Sequence, residues 1–137
     1  MNIPPALRYL GVAPKPIIRV IVAGTRVHVP DYHFDRLIRQ LIAGIETDDI
    51  EVLFVSGMAR EGADKQIVDW CDLNSYDYEP YPANWDEFGK RAGFIRNGEM
   101  AKVGDILLAF WTQESKGTAN MIEQMQRLGK PTITIHY

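Results

Sequence analysis

The stretch Asp105–Asn120, DILLAFWTQESKGTAN, decides the fold. It opens on an apolar run, Ile106–Trp111, too short for a helix of its own and rich in strand-forming side chains. A polar turn, Thr112–Lys116, comes next. Gly117-Thr118 then leads into Met121, Ile122, Met125 and Leu128, the spacing of one helix face. A strand, a loop and a helix with glycine at the hinge aim backbone N–H groups and the positive end of a helix dipole above the strand. A phosphate or carboxylate fits there. The same Gly-Thr pair is also an ordinary helix cap, because a threonine hydroxyl satisfies orphan N–H groups.

Outward from this stretch the same architecture recurs. Ile17–Ala23 (IIRVIVA) is β-branched and nearly continuous in apolar character, as a strand covered on both faces should be. Gly24-Thr25-Arg26 follows at once. Asp31 is the expected N-cap of a helix whose face is Phe34, Leu37, Ile38, Leu41, Ile42 and Ile45. Glu51–Val55 is a second strand ended by Ser56-Gly57. A helix then runs from about Gly62-Ala63-Asp64 to about Asn74, with Ala63, Ile67, Trp70 and Cys71 inward. Asp77–Tyr81 reads as a short third strand nearer an edge. Past the loop Pro82–Asp86, a helix capped by Asp86 or a neighbour extends to about Val103. Pro131 ends the helix of the opening stretch, and Thr132–Tyr137 is the last strand.

Five strands therefore alternate with four helices, which implies an α/β domain with a parallel sheet covered on both faces. In such sheets the ligand crevice lies beyond the carboxyl ends of the strands, where strand order reverses. For the order 3-2-1-4-5 the crevice falls between the first and fourth strands. The loops Gly24–Arg26 and Trp111–Thr118 then face each other, with Ser56–Gly62 beside them. Met1–Pro16 carries four of the eight prolines and reads as an arm outside the 17–137 domain, with one helical turn at most over Ala6–Leu10.

The 137 residues suit one domain with one core, and 46% hydrophobic content is enough to build it. Lys plus Arg number 15 against 18 Asp plus Glu, for a net charge of −3. That lacks the basic field needed for bulk nucleic-acid binding, but leaves room for a small anionic ligand. No apolar run is long enough to span a bilayer, and the N-terminus does not read as a signal peptide. The single cysteine, Cys71, excludes an intrachain disulfide and reads as a small buried apolar group. These features point to the cytoplasm of a bacterial or phage-infected cell.

Three expected strand ends carry glycine with a small hydroxyl residue: Gly24-Thr25, Ser56-Gly57 and Gly117-Thr118. Glycine lets backbone approach a ligand and hydroxyls donate to phosphate oxygens, although each pair alone is also turn chemistry. Neither the G-x-G-x-x-G fingerprint nor a Walker loop is present. In Gly89–Met100 (GKRAGFIRNGEM), helical spacing puts Gly89, Gly93, Arg96, Asn97 and Met100 on one face. Glycine inside a helix costs about 1 kcal/mol against alanine, so two of them suggest a close approach to a ligand or another helix. Arg96 is then placed to grip a phosphate in bidentate fashion. A surface arginine on a tightly packed helix is the plain alternative. Trp85 and Trp111 sit at loop mouths, where either stacks on a base or simply packs. Lys90, Arg91 and Lys116 would add positive charge. His28, His33 and His136 show no metal spacing, so neither metal nor cofactor is expected.

Four segments together resemble the SLOG superfamily: AGTR at 23–26, SGMAREGAD at 56–64, PANWDEFGKRAGFIRNGEM at 82–100 and AFW…SKGTANMI at 109–122. The nearest branch is that of the small bacterial and phage YspA-like, YpsA-related proteins. The resemblance covers nearly everything from Ile17 onward. It implies a Rossmann-like three-layer fold, binding of a nucleotide or nucleotide-derived ligand (including one derived from NAD), and a homo-oligomer, a dimer or larger. It adds Gly62, Asp64, Gly93 and Asn120 to the candidate ligand-binding set. It also implies kinship with LOG-type phosphoribohydrolases, which cleave the N-glycosidic bond of nucleoside monophosphates. Those enzymes carry an R-x-x-E-M helix, matched by Arg96–Met100, and a P-G-G-x-G-T-x-x-E loop, matched in part by Gly117-Thr118. Arg96 would be the catalytic residue of such an enzyme. The residues before Gly117, Glu114-Ser115-Lys116, have none of that loop's proline and glycines, and its glutamate falls on Met121. A thioether cannot stabilise the oxocarbenium-like charge that builds on the ribose. Glu99, Asp64 or Glu114 would have to replace it.

Overall fold

The computed structural model describes residues 15–136; the proline-rich arm up to Pro14 and Tyr137 lie outside the described residues. Five parallel strands form the sheet: β1 (Ile17–Gly24), β2 (Glu51–Ser56), β3 (Tyr78–Pro80), β4 (Ile106–Trp111) and β5 (Thr132–His136). Their order is β3-β2-β1-β4-β5, the order expected from the alternating pattern. The Rossmann-like α/β architecture follows. β1 is central, with Ile21 opposite Val55 on one side and Leu107 on the other.

Alternate strand residues feed two cores, as the two-residue period of a strand requires. Val20, Val22, Phe54, Leu108 and Phe110 pack to one face against α1 (Asp31–Ile45) and α2 (Ala63–Asn74). Ile21, Ala23, Val55, Leu107 and Ala109 pack to the other, against α4 (Ala92–Val103) and α5 (Lys116–Arg127). Phe34, Ile38 and Ile42 of α1 are buried, with Leu37, Leu41 and Ile45 partly so. Trp70 of α2 joins α1 through its indole N–H, which donates to Asp35 at 2.9 Å.

Two helix starts differ from expectation. Pro30, not Asp31, occupies the N-cap of α1, and its carbonyl accepts the N–H groups of His33 and Phe34. Asp31 is the first helical residue and pairs instead with His28 at 2.8 Å. Residues 84–103 are not one helix. Asn84, rather than Asp86, caps the short α3 (Trp85–Phe88) by accepting from the N–H of Glu87. Gly89 then turns at φ +57, a conformation that ends the helical ladder, and a 3₁₀ turn over Gly89–Arg91 leads into α4. Gly89 therefore leaves the predicted face: its glycine serves the turn, and a Cβ there would meet nothing within 4 Å. β3 spans three residues rather than five, at the sheet edge. Among the described residues no helix is long and apolar enough to cross a membrane.

Candidate functional site

A cavity of about 680 Å³ opens at the carboxyl ends of β1, β2 and β4, where the strand order reverses. Its volume falls in the usual range for small-molecule sites. Four cationic side chains line it, Arg26, Arg60, Lys90 and Arg96, against two acidic ones, Glu61 and Asp64. A chain of net charge −3 thus carries a locally cationic hollow.

One wall is the first turn of α5. Ser115 is its N-cap: the Oγ accepts from the N–H of Thr118 at 3.3 Å, and donates to Thr118 Oγ1 at 3.0 Å. The Thr118 hydroxyl proton is then left to donate elsewhere. Ala119 N–H is held by the Ser115 carbonyl. The N–H groups of Lys116 and Gly117 have no partner among the described residues. Ser115, Gly117 and Thr118 all line the cavity, so this wall offers two backbone donors, a hydroxyl and the positive end of a twelve-residue helix.

The opposite wall is built around Gly57. A Cβ placed there would lie 2.7 Å from Arg96 Nη1 and 2.9 Å from Asp64 Oδ2. Glycine is what lets the guanidinium and the carboxylate flank the end of β2. Arg96 Nε donates to Asn97 Oδ1 at 3.0 Å, and Nη1 donates to the Gly57 carbonyl. Asp64 is only 7% exposed and accepts from the N–H of Ala59 at 3.2 Å. Burial pushes its carboxyl above the usual range; the Ala59 N–H, the Arg96 charge and the Gly24 N–H pull the other way and lose. Burial likewise lowers Arg96 from its ordinary value, with Asp64 opposing. The loop between them is tightly set. Met58 stands at φ +62 with its N–H on Ser56 Oγ, and Gly62 at φ +76 packs against the Thr25 carbonyl.

The candidate residues separate on this geometry. Gly24, Thr25, Arg26, Gly57, Asp64, Trp85, Gly93, Arg96, Asn97, Gly117 and Thr118 line the cavity. Four others do not. Ser56 is fully buried, and its hydroxyl donates to the Asp64 carbonyl. Gly62 is the N-cap of α2, behind the lining. Asn120 accepts from Asn97. Trp111 turns away: its ring lies 5.6 Å from that of His136, and its N–H donates to the Ser115 carbonyl at 3.1 Å. Trp111 thus supports the α5 cap and is no base-stacking surface.

Several lining residues also have other work than the sequence suggested. Gly24 is required by the protein itself, since a Cβ would come within 2.6 Å of the Phe110 carbonyl. The Thr25 hydroxyl donates to that carbonyl at 3.3 Å. Both Asn97 amide protons are taken, by Gly117 O at 3.1 Å and Asn120 Oδ1 at 3.2 Å, so Asn97 ties α4 to α5 rather than clamping a ligand. A Cβ at Gly93 would meet Trp85 only at ordinary contact distance, 3.5 Å, so no close approach there requires glycine. With Nε and Nη1 held by protein oxygens, Arg96 keeps Nη2 as its open edge, so a fully free bidentate fork is not available.

Some contributors escaped the sequence reading. Phe94, 48% exposed, lines the cavity with the 57% exposed Trp85. Gln66 clamps the loop after β1 by pairing both polar groups of Val29, at 2.9 and 2.8 Å. Glutamine inside a helix carries no local sign of that task. Of the three carboxylates weighed against Met121, Asp64 lines the cavity, whereas Glu99 and Glu114 do not; Met121 itself is buried and also lines it. No group of three or more His, Cys, Asp or Glu side chains among the described residues is arranged to hold a metal.

Fold and site together define a doubly wound parallel α/β domain with a cationic cavity at its switch point. No family model matches the chain. It is 34% identical over 87 residues to the Gene 61 protein of Mycobacterium phage D29, a match covering 63% of this chain and 61% of the phage protein. The chain therefore spans about three fifths of the length of that curated relative.

Proposed function

We propose that the domain binds a nucleotide or nucleotide-derived small ligand carrying phosphate and ribose, as a sensor or sequestering protein of the SLOG type. The observation that carries this reading is the pair of open N–H groups, of Lys116 and Gly117, at the start of α5 beside the open edge of Arg96, in one cationic cavity. Backbone N–H groups at a helix start favour a phosphate, and four lining cations favour one bearing more than a single charge. The exposed faces of Trp85 and Phe94 supply an apolar wall suited to a planar base. Differential scanning fluorimetry with nucleoside mono- and diphosphates and ADP-ribose tests it. A ligand at a hundredfold excess over its Kd stabilises by about 2.7 kcal/mol, a shift of several degrees. No shift with any compound sinks the reading.

A second reading, cleavage of the N-glycosidic bond of a nucleoside monophosphate, is favoured by one observation: a buried carboxylate, Asp64, lines the same cavity. It requires release of free base by the wild-type protein and loss of that release in Arg96→Ala. Equal inertness of both proteins would end it.

A further inference from the structure

We propose that Asp64 recognises a vicinal diol, so that the cavity selects ribose over deoxyribose in the phosphate ester it holds. This deepens the nucleotide reading and rests on it.

A buried carboxylate in a cavity suited to anions is at first sight self-defeating, because like charges repel. The accounting of donors and acceptors removes the conflict. A carboxylate has about four lone-pair positions. The N–H of Ala59 fills one of them at 3.2 Å, and the backbone of Gly24 also favours the charged form. Arg96 lies beside it across Gly57 but directs Nε and Nη1 to carbonyl oxygens, and the two side chains form no ion pair within 4.0 Å. Asp64 thus lines the cavity with acceptor capacity left over at only 7% exposure.

A phosphate brings only acceptors to that place. A sugar bearing adjacent hydroxyls brings two donors at a fixed spacing, suited to the acceptor positions left on the carboxylate. The other wall, at the start of α5, offers the open N–H groups of Lys116 and Gly117 as donors. A ligand with an anionic end and a diol satisfies both walls at once, whereas inorganic phosphate or a deoxyribose ester satisfies one. Leaving a buried acceptor unmatched is the stronger source of discrimination, because its desolvation is then uncompensated.

Isothermal titration of the wild-type protein with ribose 5-phosphate against 2-deoxyribose 5-phosphate tests the assignment. The matched ribo- and deoxyribonucleoside 5′-monophosphates are titrated alongside. The expected result is binding at least roughly tenfold tighter for the ribose forms. Asp64→Asn is expected to erase that preference while still binding the deoxyribose forms. Equal affinity of wild type for both sugars overturns the diol assignment and leaves the nucleotide reading standing. Failure of every compound to bind overturns both. The sugar comparison is made on the wild-type chain, so a folding defect in Asp64→Asn does not blunt it.

Discussion

The two ends of the sheet treat their polar groups in opposite ways. At the amino ends of β4 and β5, Lys130 Nζ donates to the carbonyls of Ala101, Lys102 and Gly104 at 2.6, 3.1 and 2.8 Å. All three ammonium protons are used, and they close the carbonyl end of α4. Asp105 Oδ2 accepts from the N–H of Arg19 at 2.8 Å beside it. At the carboxyl ends, Arg96 keeps an open edge, Thr118 keeps a hydroxyl proton, and the first N–H groups of α5 have no partner among the described residues. Both ends contain a cation, a glycine and a helix terminus. At the carboxyl ends donors exceed acceptors, which leaves a place for something from outside.

Gly62→Ala should do the greatest damage. A side chain at φ +76 is strained, and its Cβ would strike the backbone carbonyl of Thr25, which cannot swing aside. Urea unfolding should show a loss on the order of 3 kcal/mol. Gly104→Ala at the other end would crowd the buried Ile21 side chain at Cδ1, but at an ordinary negative φ and against a side chain rather than backbone at closest approach, and should cost less. The reverse ranking would show that the carboxyl-end loops are softer than their geometry implies.

A pair of substitutions sharpens the contrast next. Lys130→Met should lower stability by about 1.5–3 kcal/mol, the range for hydrogen bonds to a charged group, and leave ligand-induced shifts intact. Arg96→Met should abolish those shifts. Melting curves with and without ligand read both, and if the two variants behave alike the division between ends is lost.

A smaller effect concerns Asp64. Its carboxyl titrates higher folded than unfolded, so its contribution to stability is complete at acid pH and is lost as pH rises through the folded value. Asparagine has no such dependence. The melting temperature of Asp64→Asn minus that of wild type should therefore grow between pH 4 and pH 8, in steps of about 0.5 on the pH scale; a flat difference would place the carboxyl near its ordinary value.

The least change is expected at Cys71, in the core. Burial first, then Asp72 and Asp77, push its thiol up to about 12 from 9.0. Iodoacetamide should not label it in the native protein at neutral pH, but should do so after unfolding. The stability that the neutral thiol supports is retained below 9.0 and lost toward 12.

Periodicity made the strands, their parallel order and the inward faces of α1 and α2 legible, because a buried element must repeat its apolar residues at its own pitch. It could not foresee the break at Gly89. One glycine reads alike whether it eases a close approach or adopts φ +57, and only the surrounding backbone chooses. Nor does the chain near Pro30 say which residue starts α1, since proline and aspartate both suit a first turn.

Sequence by itself determined that Gly24, Gly57, Arg96 and Gly117 would come to the same end of a parallel sheet, because strand-helix alternation and right-handed crossovers leave no other arrangement. Tertiary structure alone decided which polar groups there remain open. Asn97 and Thr25 are held by carbonyl or amide oxygens from distant segments and Trp111 by the Ser115 carbonyl, whereas the N–H groups of Lys116 and Gly117 have no partner among the described residues. Hydrogen bonds reach about 3 Å and depend on angle, so whether a donor is taken is settled by neighbours that the order of residues does not name.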